Sequence, residues 1–242
     1  MLKCENVTKN FGGLWALAGI NLSVNEGEIL GLVGPNGSGK STLINVISGH
    51  YAPNAGRITF REHDITAREP HWITGLGIAR TYQIPRPFHT MTALENVAVG
   101  CMFGRSQDGV TQARSQAHRW LEITGLGAYA DAPIAKLNLH QRRFLELARA
   151  LACGSALLLL DEVLAGLNPT EIEESMAMIR SIHDRGVTIV IVEHIMRAVV
   201  SLSQRIVVLD QGRVIADGAP QQVMRDPAVI GAYLGKEYAR GH

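Results

Sequence analysis

Residues Gly34, Pro35, Asn36, Gly37, Ser38, Gly39, Lys40 and Ser41 fit the pattern G-x-x-x-x-G-K-[ST]. That pattern can wrap a chain of phosphates. Its glycines let backbone N–H groups turn inward, and the helix that follows adds the positive end of its dipole. Lys40, expected to face solvent, would reach the β- and γ-phosphates. The Ser41 hydroxyl would ligate Mg²⁺, and Thr42 continues the cradle into the helix. In a chain of this length chance gives such a match in on the order of one case in a hundred.

Four further residues could act on the same phosphates. Asp161 and Glu162 close the apolar run ALLLL. One carboxylate there can hold Mg²⁺, often through water, and the other can orient or deprotonate an attacking water. An acidic pair at a strand end is by itself an ordinary solvated edge; downstream of a phosphate loop it reads as catalytic. His194 ends VTIVIVE in the same way and can donate to a γ-phosphate. Gln83, after GIARTY, can bridge Mg²⁺ and the water. Parallel strands present their C-terminal ends to the ligand crevice, so Gln83, Asp161 and His194 are expected to converge. Phe11, in KNFGG, either stacks on adenine or fills the core.

The elements that must position these groups follow from periodicity. LKCENV (2–7) and INLSVN (20–25) alternate as half-buried strands do, and EILGLV (28–33) is a continuous apolar strand running into the phosphate loop. GRITF and GIARTYQ read as strands. From about 92 to 153 the pattern is helical, in TALENVAVGCM, VTQARSQAHRWLEITG and QRRFLELARALA. Then come strand ALLLL, helix TEIEESMAMIRSIHDR, strand VTIVIVE, helix IMRAVVSLS and strands RIVVLD and RVIADG. Strands alternating with helices, several apolar throughout, predict a mostly parallel α/β sheet. The helical stretch interrupts that rhythm, so we expect one domain over 1–242, with a core from 1–83 and 154–242 and a helical subdomain over 84–153.

Composition narrows the setting. With 242 residues, 46% of them hydrophobic, the chain can build a large core. A net charge of +1 and the lack of any long basic run give no reason to expect nucleic acid. Three cysteines cannot form a disulfide framework, which favours a reducing compartment. MLKCENVTKNF has charges where a signal peptide needs an apolar stretch. The longest uncharged apolar run, between Arg149 and Asp161, falls short of the ~20 residues of a membrane span.

Taken together these residues resemble the ATP-binding cassette (ABC) family over essentially the whole chain. FGGLWAL, GHYAPNAGRI, RTYQIPRPFHTMTALENVAVG, EVLAGLNPTE and VIGAYLG are similar to the ATPase subunits of bacterial branched-chain amino acid importers. The resemblance implies a P-loop NTPase fold with a RecA-like parallel core, an N-terminal antiparallel β subdomain and an inserted helical subdomain. It implies ATP and Mg²⁺ as ligands and ATP hydrolysis coupled to transport. It also implies a peripheral position on the cytoplasmic face of the bacterial plasma membrane. The partners would be a second, different cassette subunit, two transmembrane permeases and, indirectly, a periplasmic substrate-binding protein. IPRPFHTM would dock a short helix of the permease through Phe88 and Met91, unless these pack the lobe's own core.

One segment departs from the family. Where it usually has Leu-Ser-Gly-Gly-Gln, this chain has Leu137, Asn138, Leu139, His140 and Gln141. In the family this segment touches the γ-phosphate held by the partner cassette. Asn138 can replace the serine as a donor, and Gln141 is retained. A side chain at His140 either blocks close backbone approach or forces strain, or the imidazole itself donates to the phosphate. Two functions follow: a working ATPase of an uptake transporter, or a nucleotide-binding partner in a dimer that hydrolyses at one site. An exporter role is a variant of the first.

Overall fold

The computed structural model describes residues 1–82, 84–105 and 108–234. Its contacts divide the chain into two compact units, Met1–Pro70 with the chain from Thr188 onward, and His71–Val187.

The first unit holds two groups of strands. β1 (Leu2–Phe11), β2 (Leu14–Val24), β4 (Ala55–Phe60) and β5 (His63–Asp64) form an antiparallel sheet in the order β2-β1-β4-β5. β3 (Ile29–Val33) lies parallel to both β8 (Thr188–Val192) and β9 (Arg205–Asp210), and β10 (Arg213–Gly218) returns antiparallel beside β9. Every residue of β3 and β8 is buried, as expected for parallel strands covered on both faces. Each fully buried aliphatic side chain contributes roughly 1.5–3 kcal/mol. Helices α1 (Lys40–Ile47), α7 (Met196–Leu202), α8 (Pro220–Val223) and α9 (Pro227–Leu234) complete this unit. Arg205 ties three segments together, with Glu28 at 2.9 Å, Asp217 at 2.6 Å and the Ser23 carbonyl at 2.7 Å.

The second unit pairs β6 (Ile78–Arg80) in parallel with β7 (Leu157–Asp161). Around them lie α2 (Pro70–Leu76), α3 (Ala93–Phe103), α4 (Val110–Ile123), α5 (Leu139–Ala152) and α6 (Pro169–His183). Three of these helices open on reciprocal capping boxes, Thr92 with Glu95, Asn138 with Gln141 and Asn168 with Glu171. Each such cap is worth about 1 kcal/mol and fixes where its helix starts. No helix among the described residues is long and apolar enough to cross a membrane.

The expected strands 2–7 and 20–25 are the ends of one long hairpin, turned by Gly12 and Gly13 at positive φ. Alternation failed to mark its middle because the pairing shifts register three times, the first beside Asn6, whose φ is 49°. The expected strand over 77–83 contracts to Ile78–Arg80. α2, with only Ile73 buried, carries too little periodicity to be read in advance.

Candidate functional site

β3 ends at Val33 and hands the chain to the glycine loop, which closes on α1. Gly34 has φ 151° and lies so close to the β9 end that a Cβ would sit 2.0 Å from the Leu209 carbonyl. At Gly39, φ 109°, a Cβ would meet the Ala16 carbonyl at 2.5 Å. Both positions therefore need glycine for space as well as for dihedral freedom. Ser38 N–H donates to the Pro35 carbonyl, tightening the turn over Asn36 and Gly37. At the N-terminus of α1, Gly39 offers no side-chain cap and the first turn holds no acidic residue. Its amides and the positive dipole end are thus suited to an anion.

Lys40 corrects the expectation that it faces solvent. It is only 6% exposed, and its ammonium donates to the Gly34 carbonyl (2.8 Å), the Pro35 carbonyl (2.9 Å) and Ser38 Oγ (3.4 Å). A desolvated ammonium must find acceptors, and the loop's own carbonyls supply them. A second brace comes from the β9–β10 turn, where Gly212 N–H donates to the Ser38 carbonyl at 2.9 Å and the Gly212 carbonyl accepts from Ala18 at 2.8 Å. Sequence reasoning missed this support, because nothing local in Gln211-Gly212 marks a partner so far along the chain.

His194 follows β8 on the same strand-end edge as the loop. The β3–β8 register, Leu30 opposite Val190 and Gly31 opposite Ile191, carries both chains out of the sheet side by side. His194 is exposed there while its neighbour Glu193 is buried. Phe11 is 43% exposed, so the core alternative fails. Its ring meets Tyr51 edge-on at 5.3 Å, with Lys9 Nζ 5.1 Å from its centroid.

In the second unit Asp161 is the last residue of β7 and 6% exposed. Its N–H donates to Thr81 Oγ1 at 3.1 Å, and Arg80 lies 3.4 Å from its carboxylate. The parallel β6–β7 pairing places Arg80 beside that acid, a contact the sequence reading did not anticipate. Glu162 sits at φ 53°, a left-handed conformation that costs a non-glycine residue about 1–3 kcal/mol. The chain turns sharply there. Gln83 lies outside the described residues.

The 137–141 segment is the start of a helix. Asn138 is the N-cap of α5, its Oδ1 accepting from the Gln141 N–H (2.8 Å) while the Gln141 side chain accepts from the Asn138 N–H (2.9 Å). Leu139 and His140 are the first two helical residues, and neither has positive φ, so the expected strain is absent. Leu139 is exposed. His140 lies edge-on to Phe144 with centroids 4.5 Å apart, and its Nδ1 is 3.8 Å from Glu171. Deeper in α5, Arg143 donates to the Ala165 carbonyl, just past Glu162.

The docking candidate is bolted to two helices. Phe88 is 46% exposed, so it is not core; its N–H donates to Asn96 Oδ1 (2.7 Å) and its carbonyl accepts from Asn96 Nδ2 (3.1 Å). Arg86 N–H donates to the buried carboxylate of Glu146 at 2.8 Å, Arg149 donates to the Arg86 carbonyl at 3.0 Å, and Arg149 also pairs with Glu146 at 2.5 Å. The Arg149 guanidinium covers one face of the Phe88 ring at 5.4 Å.

The sequence pattern of ABC transporters matches residues 17–165. The chain belongs to the ABC transporter family. A second pattern, that of the branched-chain amino acid ATP-binding cassette transporter, matches residues 213–239. The high-affinity branched-chain amino acid transport ATP-binding protein BraF of Pseudomonas aeruginosa is 37% identical, over 98% of each chain. Among solved structures, the ADP conformation of an ATP-binding cassette of an ABC transporter superposes with TM-score 0.86 at 32% identity, covering 97% of this chain and 98% of that one. A dimeric post-hydrolysis state of another cassette, bound to ADP and Pi, gives TM-score 0.82 at 27% identity over 91% of this chain and 99% of that one. This ABC protein binds ATP, and its hydrolysis of ATP is coupled to transport.

Proposed function

We propose that this chain powers the uptake of branched-chain amino acids or chemically related small molecules. The observation that carries this reading is its likeness, along its full length and again over residues 213–239, to branched-chain amino acid transport cassettes. In this reading the chain acts at the cytoplasmic face of the bacterial plasma membrane, against two permeases fed by a periplasmic binding protein. A second, different cassette completes the nucleotide sites, and the dimeric relative supports such pairing.

The roles rest on the phosphate-loop pattern and on the likeness to ABC cassettes. The amides of the 34–42 loop and the Lys40 ammonium hold the phosphates, and Phe11 stacks on the adenine. Ser41, Gln83 and Asp161 would hold Mg²⁺. Asp161 suits a hard cation, being a buried carboxylate at a strand end. Among the described residues no cluster of three His, Cys, Asp or Glu side chains forms a metal cage. Mg²⁺ commonly takes one or two carboxylates and completes its shell with phosphate oxygens and water. When bound it offsets charge developing on the transferred phosphoryl. Glu162 polarises the attacking water, and His194 donates to the γ-phosphate. Asn138, His140 and Gln141 serve the partner's phosphate loop. Because His140 stands where the family has glycine, that partner site is the slower of the two.

Reconstitution with the permeases and binding protein in liposomes tests the substrate. ATP-dependent accumulation of leucine, isoleucine or valine is the expected result; ATP hydrolysis that never accumulates any of them would overturn it. Docking gives a second test. Phe88→Asp should weaken binding to the permease by roughly 30-fold or more, as loss of an aromatic anchor does. It should leave ATP affinity and the melting temperature of the isolated chain near wild type. A variant that unfolds would show the Phe88 ring to be structural instead.

A further inference from the structure

The last residue of β6 and the one after it hold Asp161 by both its main chain and its side chain. Thr81 takes the main chain. Its N–H donates to the Leu159 carbonyl at 3.0 Å, and its Oγ1 accepts from the Asp161 N–H at 3.1 Å. Arg80 takes the carboxylate, donating from Nη2 to Oδ2 at 3.4 Å. Both side chains of this ion pair are only 9% exposed. Taking a guanidinium and a carboxylate out of water is costly and is offset only by well-placed partners. β7 is otherwise four buried leucines, so a short apolar strand pairing has no need of an arginine at position 80. Its placement serves the acid.

The guanidinium is also backed by a ring. Arg80 Cζ lies 4.7 Å from the Tyr82 centroid, within the distance at which an aromatic face attracts a cation. Arg86 Cζ lies 5.7 Å from the same centroid, and the Arg86 main chain is fixed by Glu146 and Arg149. A planar guanidinium can lie against a ring and still aim an N–H at a carboxylate, which an ammonium cannot do. Arg80 is therefore steered from two sides. A guanidinium and Mg²⁺ repel one another, so it can serve a metal only from outside the coordination shell, through Asp161.

We propose that Arg80 is a positioning residue of the Mg²⁺ site. Backed by Tyr82, its guanidinium holds the Asp161 carboxylate in place for the cation. The proposal rests on the reading of Asp161 as a Mg²⁺ ligand and adds to it two residues that touch neither metal nor nucleotide.

The test uses the full chain as wild type, Arg80→Met, Tyr82→Leu and Asp161→Asn. ATP binding is titrated in EDTA and again across a series of Mg²⁺ concentrations, beside thermal melting without nucleotide. Arg80→Met keeps a long side chain and removes the charge. The Mg²⁺ concentration giving half of the metal-dependent gain in ATP affinity should rise by roughly 10- to 100-fold, the range for a partner that orients a metal ligand. ATP affinity in EDTA should stay within about twofold of wild type. A merely structural role would not give that split, because a loosened fold weakens both. Tyr82→Leu keeps both charges and removes the ring, so the same midpoint should rise by roughly two- to fivefold. A wild-type midpoint in Arg80→Met, or an equal loss of affinity with and without Mg²⁺, overturns the proposal. If Arg80→Met does not fold, Tyr82→Leu decides alone, and a wild-type midpoint there overturns it. Asp161→Asn separates the two readings. If it abolishes the Mg²⁺ dependence while Arg80→Met retains it, only the role of Arg80 falls. If Asp161→Asn keeps the wild-type dependence, the assignment of Asp161 falls as well.

Discussion

Glu162→Gln, made in the assembled and reconstituted transporter, should still bind ATP and should lose steady-state hydrolysis by about 100- to 10,000-fold. That is the range over which a positioned general base contributes. The amide keeps the size and left-handed backbone of the native residue, whose φ is 53°, so the loss is chemical. The matching glutamate change in the partner cassette should spare a large fraction of turnover, because in the proposed pairing that site works against Leu139 and His140. Removing one transition-state donor costs about 100- to 1,000-fold in other enzymes, which sets the gap between the two sites. His140→Gly should raise total turnover by opening the slow site. It also removes the ring contact with Phe144 and the approach to Glu171, and glycine inside a helix costs about 0.5–1 kcal/mol. A modest fall in melting temperature should therefore accompany the gain. Phosphate-release rates for the three variants decide the matter. Two glutamate variants that are equally dead, with no gain from His140→Gly, would mean that the sites are strictly coupled or that His140 already makes the contact.

Lys40→Ala should weaken ATP binding by roughly 100-fold or more, since charge-assisted hydrogen bonds to phosphate are worth about 1.5–3 kcal/mol each. Uptake should disappear with it. Because Lys40 is buried against the Gly34 and Pro35 carbonyls, the variant should also loosen the empty loop and melt slightly earlier. The sheet around β3 stays intact, its five residues buried independently of the lysine. Titration calorimetry reads the affinity. An alanine variant that binds ATP as tightly as wild type would end the assignment of the loop as the phosphate site.

Much of this was legible in advance, and the exceptions share a physical cause. β3, β7 and β8 announced themselves as apolar runs because parallel strands are buried on both faces, and the glycine loop because its spacing has few other uses. The capping boxes at Thr92, Asn138 and Asn168 lie in plain text as Thr-x-x-Glu, Asn-x-x-Gln and Asn-x-x-Glu, and the resemblance to the family had already singled out the second of them. What stayed hidden depends on residues distant in sequence. The Gly212 brace on Ser38 and the Arg80–Asp161 pair exist only once strands are side by side, whereas the inward fold of Lys40 is local, onto carbonyls of its own loop. The β1–β2 hairpin was obscured differently, by register shifts that break the alternation a reader counts.

The clamp on residues 86–88 has a mechanical consequence. Asn96 holds the Phe88 backbone to α3, while Glu146 and Arg149 hold Arg86 to α5. A load applied to the exposed Phe88 ring therefore meets no slack before it reaches α5. That helix has 14 residues and is about 21 Å long at 1.5 Å per residue. Its far end carries His140 and is pinned by the capping box of Asn138 with Gln141, and Arg143 grips the stretch just beyond Glu162. In the proposed reading the helix is thus a strut with the candidate docking segment bolted near one end and the turn proposed to face a phosphate at the other. Tilting it by 10° would swing that turn by about 3–4 Å, more than the whole length of a hydrogen bond. A displacement too small to disturb the packing at Phe88 is large enough to make or break contact with a phosphate.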